Sequence, residues 1–229
     1  MELVLREHPS YGSRRLAIAL RKNRKSIQRI MRIFGIKPYR RRGRKYRKPK
    51  ENSASYQNLL LTEYPNHPHH IWATDFTYLS FHGKTVYLAT IIDLFTREVV
   101  GFSALTTHSV GLVIQAMLSA INKHPVPKII HSDHGSEYTS KDYIRLCRYL
   151  GIAISMSRKG SPWENGYQES FYSQFKVDLG DPNRFKTLGE LVYAIYRTIH
   201  SYNNSRIHLS LKMPPAIYAG KIQRSYAIV

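Results

Sequence analysis

The amino-acid sequence predicts an α/β fold in which a mixed sheet is flanked by helices, with a small all-α module in front of it. Three observations carry this. Between residues 71 and 105 three strand-like runs follow one another with only short turns between them. Beyond them, stretches of helical and strand period alternate, the order that builds a layered α/β domain. In front, helical periodicity coincides with dense positive charge: residues 1–50 hold 18 Lys or Arg against Glu2 and Glu7, a net of +16, whereas residues 51–229 carry only +4 of the formal +20.

The front module, residues 1–36, contains two short helices. Arg14 to Arg21 places Leu16, Ala19 and Leu20 on one side. Asn23 can cap a second helix over 25–34, with Ile27, Ile30, Met31 and Phe34 as its apolar stripe and Gly35 as its stop. Two tightly joined helices with Arg14, Arg15 and Arg29 on their outer faces fit a helix-turn-helix that grips DNA, and they also fit a plain solvated helical hairpin.

Residues 37–68 form a basic arm and a linker. The arm, Lys37 to Lys50, has nine basic residues and no acid, with Tyr39 and Tyr46 set among them. It cannot bury a core and is expected to order on a phosphate backbone through Arg40, Arg41, Arg42, Arg44 and Lys45. Residues 51–68 are expected to be a polar linker. The run Asn66-His67-Pro68-His69-His70 is broken by proline and has no acid or thiol beside it, so it reads as a loop entering a strand rather than as a metal cluster.

The body, residues 69–180, opens with a strand over 71–81. His82-Gly83-Lys84 makes a turn into a more apolar strand over 85–95, and Arg97-Glu98 turns into a third over 99–105. A helix over 109–123 follows, with Ser109 as its cap. Then come a short buried strand ending at Asp133, a helix over 140–150, and a strand over 152–155. From Lys159 the chain is a Gly-, Ser- and Pro-containing loop that feeds a helix with Phe171, Phe175 and Leu179 at helical spacing. A meander followed by helix, strand, helix, strand, helix is the order of a ribonuclease-H-like fold. Residues 181–229 are a C-terminal helical extension.

Three acids stand out. Asp75 interrupts the first strand, Asp133 ends the fourth, and Glu169 projects from the helix after the loop. The strand of Asp133 is expected beside that of Asp75, with both carboxylates toward the strand ends where ligands bind. Clustered carboxylates repel unless a cation lies between them, and oxygen ligands suit magnesium or manganese. Two such ions, about 4 Å apart, suit phosphoryl transfer. The same acids could instead each serve a local structural hydrogen bond. Asp93, also in a strand but close to a turn, reads as a structural or supporting group. Asn165, Glu169 and Lys176 share roughly one helix face.

Trp72-Ala73-Thr74-Asp75-Phe76-Thr77, His131-Ser132-Asp133-His134-Gly135-Ser136-Glu137-Tyr138 and Glu164-Asn165-Gly166-Tyr167-Gln168-Glu169-Ser170-Phe171 resemble the retroviral-integrase-like core of bacterial insertion-sequence transposases. The match is to the second-reading-frame (OrfB) product of the insertion-sequence-3 family. The 35 residues between Asp133 and Glu169 are the spacing of that family's D,D(35)E signature. His8 to Arg15 and Arg29 to Arg32 look like its small helix-turn-helix. Ser155 to Gly160 looks like its loop before the catalytic helix, and Tyr202-Asn203, Arg206, His208 and Pro214-Pro215 look like its C-terminal signature. Trp163-Glu164-Asn165-Gly166 stands where Tyr-Asp-Asn-Ala is commoner.

The resemblance implies a DNA transposase with Asp75, Asp133 and Glu169 as catalytic metal ligands, binding Mg²⁺ or Mn²⁺, as two ions. It makes Lys159 and Lys176 DNA contacts and leaves Asn165 to hold the helix start or a phosphate; Asn203, Arg206 and His208 are left to DNA contact or packing. Its DNA partners are terminal inverted repeats and a target. An upstream first-reading-frame protein, or a frameshifted fusion with it, and a homo-oligomer on DNA are implied too. A purely hydrolytic ribonuclease-H-like nuclease and an inactive DNA-binding relic share many of these features.

Composition limits the setting. An apolar content of 42% over 229 residues supplies one ordinary core plus a small module. The single cysteine, Cys147, excludes an internal disulfide and a multi-thiolate zinc site, and fits a buried residue in a reducing compartment. No run approaches the roughly 20 apolar residues of a membrane span. A cytoplasmic, nucleoid-associated bacterial protein is expected.

Overall fold

The computed structural model describes residues 1–38, 56–158 and 165–226. In chain order the helices are α1 (Glu2–Glu7), α2 (Ser13–Ala19), α3 (Arg24–Ile33), α4 (Val110–Ile121), α5 (Lys141–Tyr149), α6 (Gly166–Leu179), α7 (Leu188–Asn204) and α8 (Pro215–Tyr226). The strands are β1 (Ile71–Phe81), β2 (Lys84–Asp93), β3 (Val99–Leu105), β4 (Ile129–Ser132) and β5 (Ala153–Met156). One unit comprises residues 1–44, 173–181 and 189–229; the other comprises 45–172 and 182–188.

The second unit is built on a five-stranded sheet of order β3-β2-β1-β4-β5. β1 pairs antiparallel with β2 and parallel with β4, and β5 continues the parallel half. The mixed α/β sheet expected from the sequence is therefore present. Phe81 faces Lys84 across a two-residue turn in which His82 and Gly83 both have positive φ, the tight hairpin that matches strand twist. β2 stops at Asp93, earlier than the expected 95, because the Asp93 carboxylate turns back to accept from the N–H groups of Phe95 and Thr96. It also accepts from His69 N–H at 2.7 Å. A buried acid satisfied by backbone donors is a structural staple, as expected for Asp93.

α4 lies on β3 and β2, and Gly101 is what lets it come close. A Cβ there would stand 2.6 Å from the Ala116 carbonyl oxygen and 2.5 Å from Ala120 Cβ. Trp72, Ile91, Leu112, Met117, Ile130, Tyr138 and Cys147 are among the residues that form the main core. Residues 56–68, expected to be only a polar linker, include a 3-10 turn at Leu59–Leu61. Leu59 and Leu60 pack against Ile71, Ala73, Leu94 and Ile129. The polar composition of the stretch hid this, since only Leu59 and Leu60 carry the contact while Leu61 is exposed.

In the first unit α2 and α3 pack through Leu16, Ile27 and Met31, joined by Tyr11 and by α1. Asn23 caps α3 as expected, its side chain accepting from Lys25 N–H, and Gly35 ends the helix with φ of 63°. Two members of the expected stripe are instead exposed: Ile30 and Phe34 face solvent, as Ile27 and Met31 alone face α2. The unit also contains a buried ion pair. Arg206 Nε donates to Asp178 Oδ2 at 2.9 Å, and its Nη2 donates to Ser10 Oγ and to Gln174 Oε1. No described helix is long and apolar enough to cross a membrane.

Candidate active site

β1 and β4 bring two of the three acids to one level. In the parallel pair Ala73 stands opposite His131, so Asp75 and Asp133, each two residues further on, leave the paired segment at matching positions. Asp133 lies just past the end of β4, where parallel strands open toward a ligand.

The loop after β4 is held by its own short side chains. Gly135 N–H donates to Asp133 Oδ1 at 2.9 Å, and the hydroxyls of Thr139 and Ser140 donate to the carbonyls of Gly135 and Glu137. Asp133 as a residue is exposed, yet its carboxyl lies down against this loop. Lost hydration there, and then the charge of Glu137, push its pKa above the ordinary carboxylate value, while the Gly135 N–H and His134 pull it down. Glu137 is itself buried and takes His108 Nε2 at 2.8 Å. Tyr138 anchors the loop to β1, with its hydroxyl 3.3 Å from Thr74 Oγ1.

α6 is bound to β1 from the other side. Asn165 Nδ2 donates to the Thr74 carbonyl at 3.3 Å, Gln168 Nε2 to the Ala73 carbonyl at 2.6 Å, and Tyr172 Oη to the Asp75 carbonyl at 2.6 Å. Three consecutive carbonyls of β1, the last belonging to Asp75, are thus read by α6 and the residue just before it. At about 100° per residue, Asn165, Gln168, Glu169 and Tyr172 span an arc of about 100°, so Glu169 lies on the flank that meets β1. Gln168 and Tyr172 are buried with Thr90, whose hydroxyl is 3.0 Å from Gln168 Oε1 and 2.9 Å from Tyr172 Oη. Burial, and then the Asp75 charge, raise the hydroxyl pKa of both Tyr138 and Tyr172 well above the usual phenol value. Asp75 is therefore electrostatically close to the anchors of both the Asp133 loop and α6.

Glu169 is exposed and Asp75 half-buried. Among the described residues no group of three or more His, Cys, Asp or Glu side chains is drawn together tightly enough to hold a metal ion. The donor chemistry nevertheless suits one: three carboxylates and no thiolate, on elements tied to a common strand. Asn165, left by the sequence between two roles, takes the first of them by joining the helix start to Thr74. The sequence reading gives Gln168 and Tyr172 no role. Their signal was available as polar residues at i−1 and i+3 of Glu169, on the inner side of an otherwise amphipathic helix.

The residues expected to touch DNA fall in different places. Arg14 and Arg29 are exposed. Arg15 is half-buried, with Nη2 on Gln174 Oε1 at 2.9 Å and Nε on the Ile207 carbonyl at 3.2 Å; burial, followed by the charge of Arg206, lowers its pKa to about 10. Lys176 is half-buried on α6. Arg40, Arg41, Arg42, Arg44, Lys45 and Lys159 lie outside the described residues. Arg206, which the sequence left open between DNA contact and packing, is buried in its ion pair with Asp178.

Comparison with known proteins gives the family and the fold. The profile of the integrase core domain matches residues 65–162, and a second integrase core profile matches 150–215. The transposase for insertion sequence element IS904 of Lactococcus lactis is 35% identical over 223 residues, which cover 92% of this chain and 88% of that one. Transposase InsF for insertion sequence IS3A of Escherichia coli is 33% identical over 156 residues, 66% of this chain and 54% of that one. Among solved structures, the HTLV-2 integrase catalytic core domain in complex with magnesium superposes with a TM-score of 0.57 at 21% identity, over 68% of this chain and 99% of that one. That likeness fixes the integrase, ribonuclease-H-like fold. With motifs, fold and relatives in agreement over most of its length, the chain belongs to the insertion-sequence-3 family of transposases, built on an integrase core domain.

Proposed function

We propose that this chain cuts the ends of a mobile DNA element and joins them to a target, using Asp75, Asp133 and Glu169 as the ligands of two Mg²⁺ or Mn²⁺ ions. The observation that supports it best is the convergence on β1. Asp75 and Asp133 sit at matching positions where two adjacent parallel strands part, and the helix of Glu169, with Asn165 just before it, hydrogen-bonds to the carbonyls of Ala73, Thr74 and Asp75.

The bound ions would supply Lewis-acid activation of the attacking oxygen and neutralise the charge that grows on the phosphate. The chain's own share is placement. Asp75 and Asp133 are fixed by strand backbone and by the Gly135 N–H, and the exposed Glu169 can swing toward them without unseating α6. In the cutting step a water oxygen attacks phosphorus at the element end, the P–O3′ bond breaks, and a 3′ hydroxyl is released. In the joining step that hydroxyl attacks a target phosphodiester, whose own 3′ oxygen departs. Joining exchanges one phosphodiester for another, so it needs neither ATP nor a protein-bound intermediate.

The exposed Arg14 and Arg29, the basic arm from 37 to 50, Lys159 and Lys176 are proposed to hold phosphates by charge. Two element ends call for two active sites, hence a homo-oligomer on DNA, and an upstream first-reading-frame protein is a candidate aid to end recognition. The test is a magnesium- or manganese-dependent assay on labelled duplex carrying the inverted repeats that flank the coding region, with a plasmid target. Joined product is expected from the wild type. Nicking alone would indicate a hydrolytic nuclease or a missing upstream partner, and tight binding without chemistry a DNA-binding relic.

A further inference from the structure

The cations of the second unit are unevenly placed. α4, with twelve residues, carries no charged side chain, whereas α5 in nine residues carries Lys141, Arg145 and Arg148 against Asp142 alone. Its inner face buries Tyr143 and Cys147. The three cations are exposed and fall within an arc of about 100° that also includes Tyr149. Among the described residues none of the three takes part in an ion pair. Tyr149 is 87% exposed, an unusual position for a large ring at the end of a helix whose other aromatic is in the core.

From these features we infer that the outer face of α5 is a docking strip for the phosphate backbone of target duplex. The strip starts next to the chemistry. Asp133 and α5 are joined by the loop that Gly135, Thr139 and Ser140 hold rigid, so DNA lying on the helix is registered against Asp133. Spacing agrees: Lys141 to Arg148 spans about 10 Å of helix axis, and one DNA strand places a phosphate about every 3.4 Å along its own. Three cations can therefore neutralise about three successive phosphates. Cations that meet phosphates position a duplex without reading its bases, which suits a target bound without regard to sequence. The assignment to target rather than element end rests on the proposed transposase reading.

The test uses the full chain in two forms, the triple variant Lys141→Gln/Arg145→Gln/Arg148→Gln and a charge-matched control, Lys84→Gln/Lys123→Gln/Lys128→Gln, both checked for wild-type melting. Affinity for a duplex lacking element ends is followed by fluorescence anisotropy between about 50 and 200 mM salt, the range over which phosphate contacts dominate. Loss of three contacts is expected to flatten the slope of log affinity against log salt by about 2 to 3 relative to the control, at about 0.9 per phosphate. In the joining assay the α5 variant is expected to cut ends like the wild type and to join poorly to plasmid. Equal slopes for the two variants would overturn the inference. So would a loss confined to end-bearing duplex, unimpaired joining despite a flatter slope, or an altered sedimentation coefficient with an unchanged slope, which would make α5 a protein interface. If the wild type neither cuts nor joins, the transposase reading fails on its own, while the salt series still decides whether α5 binds duplex.

Discussion

Gln168 donates through Nε2 to the carbonyl oxygen of Ala73 at 2.6 Å, linking the residue before Glu169 to the strand of Asp75. The same amide lies 3.2 Å from the Thr90 carbonyl, and its oxygen takes the Thr90 hydroxyl. A fully buried glutamine at this point locates the helix of Glu169 by hydrogen bonds, which fixes both its height and its rotation against β1.

Replacing Gln168 by Ala is therefore expected to damage function beyond its effect on folding. Two buried carbonyls, those of Ala73 and Thr90, lose a donor, at a cost of about 1–3 kcal/mol for each group left unsatisfied, measurable by urea denaturation. Strand joining is expected to fall about 10- to 100-fold, the usual loss when a supporting group behind metal ligands is removed. Unchanged joining in a folded variant would mean that α6 finds its place without this bond.

Much of this architecture is legible in the sequence. β1 and β3 begin and end where alternation and turn residues place them, and Ser140 caps α5 as a helix over 140–150 requires, accepting from Tyr143 N–H. The three motifs and their spacing single out Asp75, Asp133 and Glu169 as candidate acids before any coordinate. What is not legible depends on distant partners. Thr90, Gln168 and Tyr172 are unremarkable polar residues until β2 and α6 meet. Arg15 and Arg206 look like exposed cations, but one lies on Gln174 and the other on Asp178, 159 and 28 residues away in sequence. α1 and the turn at Leu59–Leu61 are too short to show a period, and only their neighbours stabilise them.

The Arg206–Asp178 pair gives a second prediction. Asp178→Asn or Arg206→Met alone leaves one buried partner uncompensated and is expected to cost about 3–5 kcal/mol. The double variant should cost less than the sum, because the second change removes the orphaned charge. Additive losses in a denaturation cycle would place the energy in the Ser10 and Gln174 bonds instead.

Cys147 supplies a third. It is fully buried in the core and its thiol is pushed up to about 11, chiefly by burial, with the Tyr143 hydroxyl pulling it down. Thiolate is thus scarce near neutral pH, becoming appreciable only as pH climbs toward that value. A disulfide-exchange reagent at pH 8 is expected to leave the native chain unlabelled and to react at once after unfolding in guanidinium. Rapid labelling of the native protein would show that the core around α5 opens readily.

The most direct test of the three acids compares wild type, Asp133→Asn and Glu169→Gln in the metal-dependent joining assay, with DNA affinity measured in parallel. Each substitution keeps the side chain's shape and removes one carboxylate charge. Joined product is expected from the wild type alone, with all three proteins retaining comparable DNA affinity. Full metal-dependent joining by either variant would contradict the assignment of these acids as the ligands that carry the reaction.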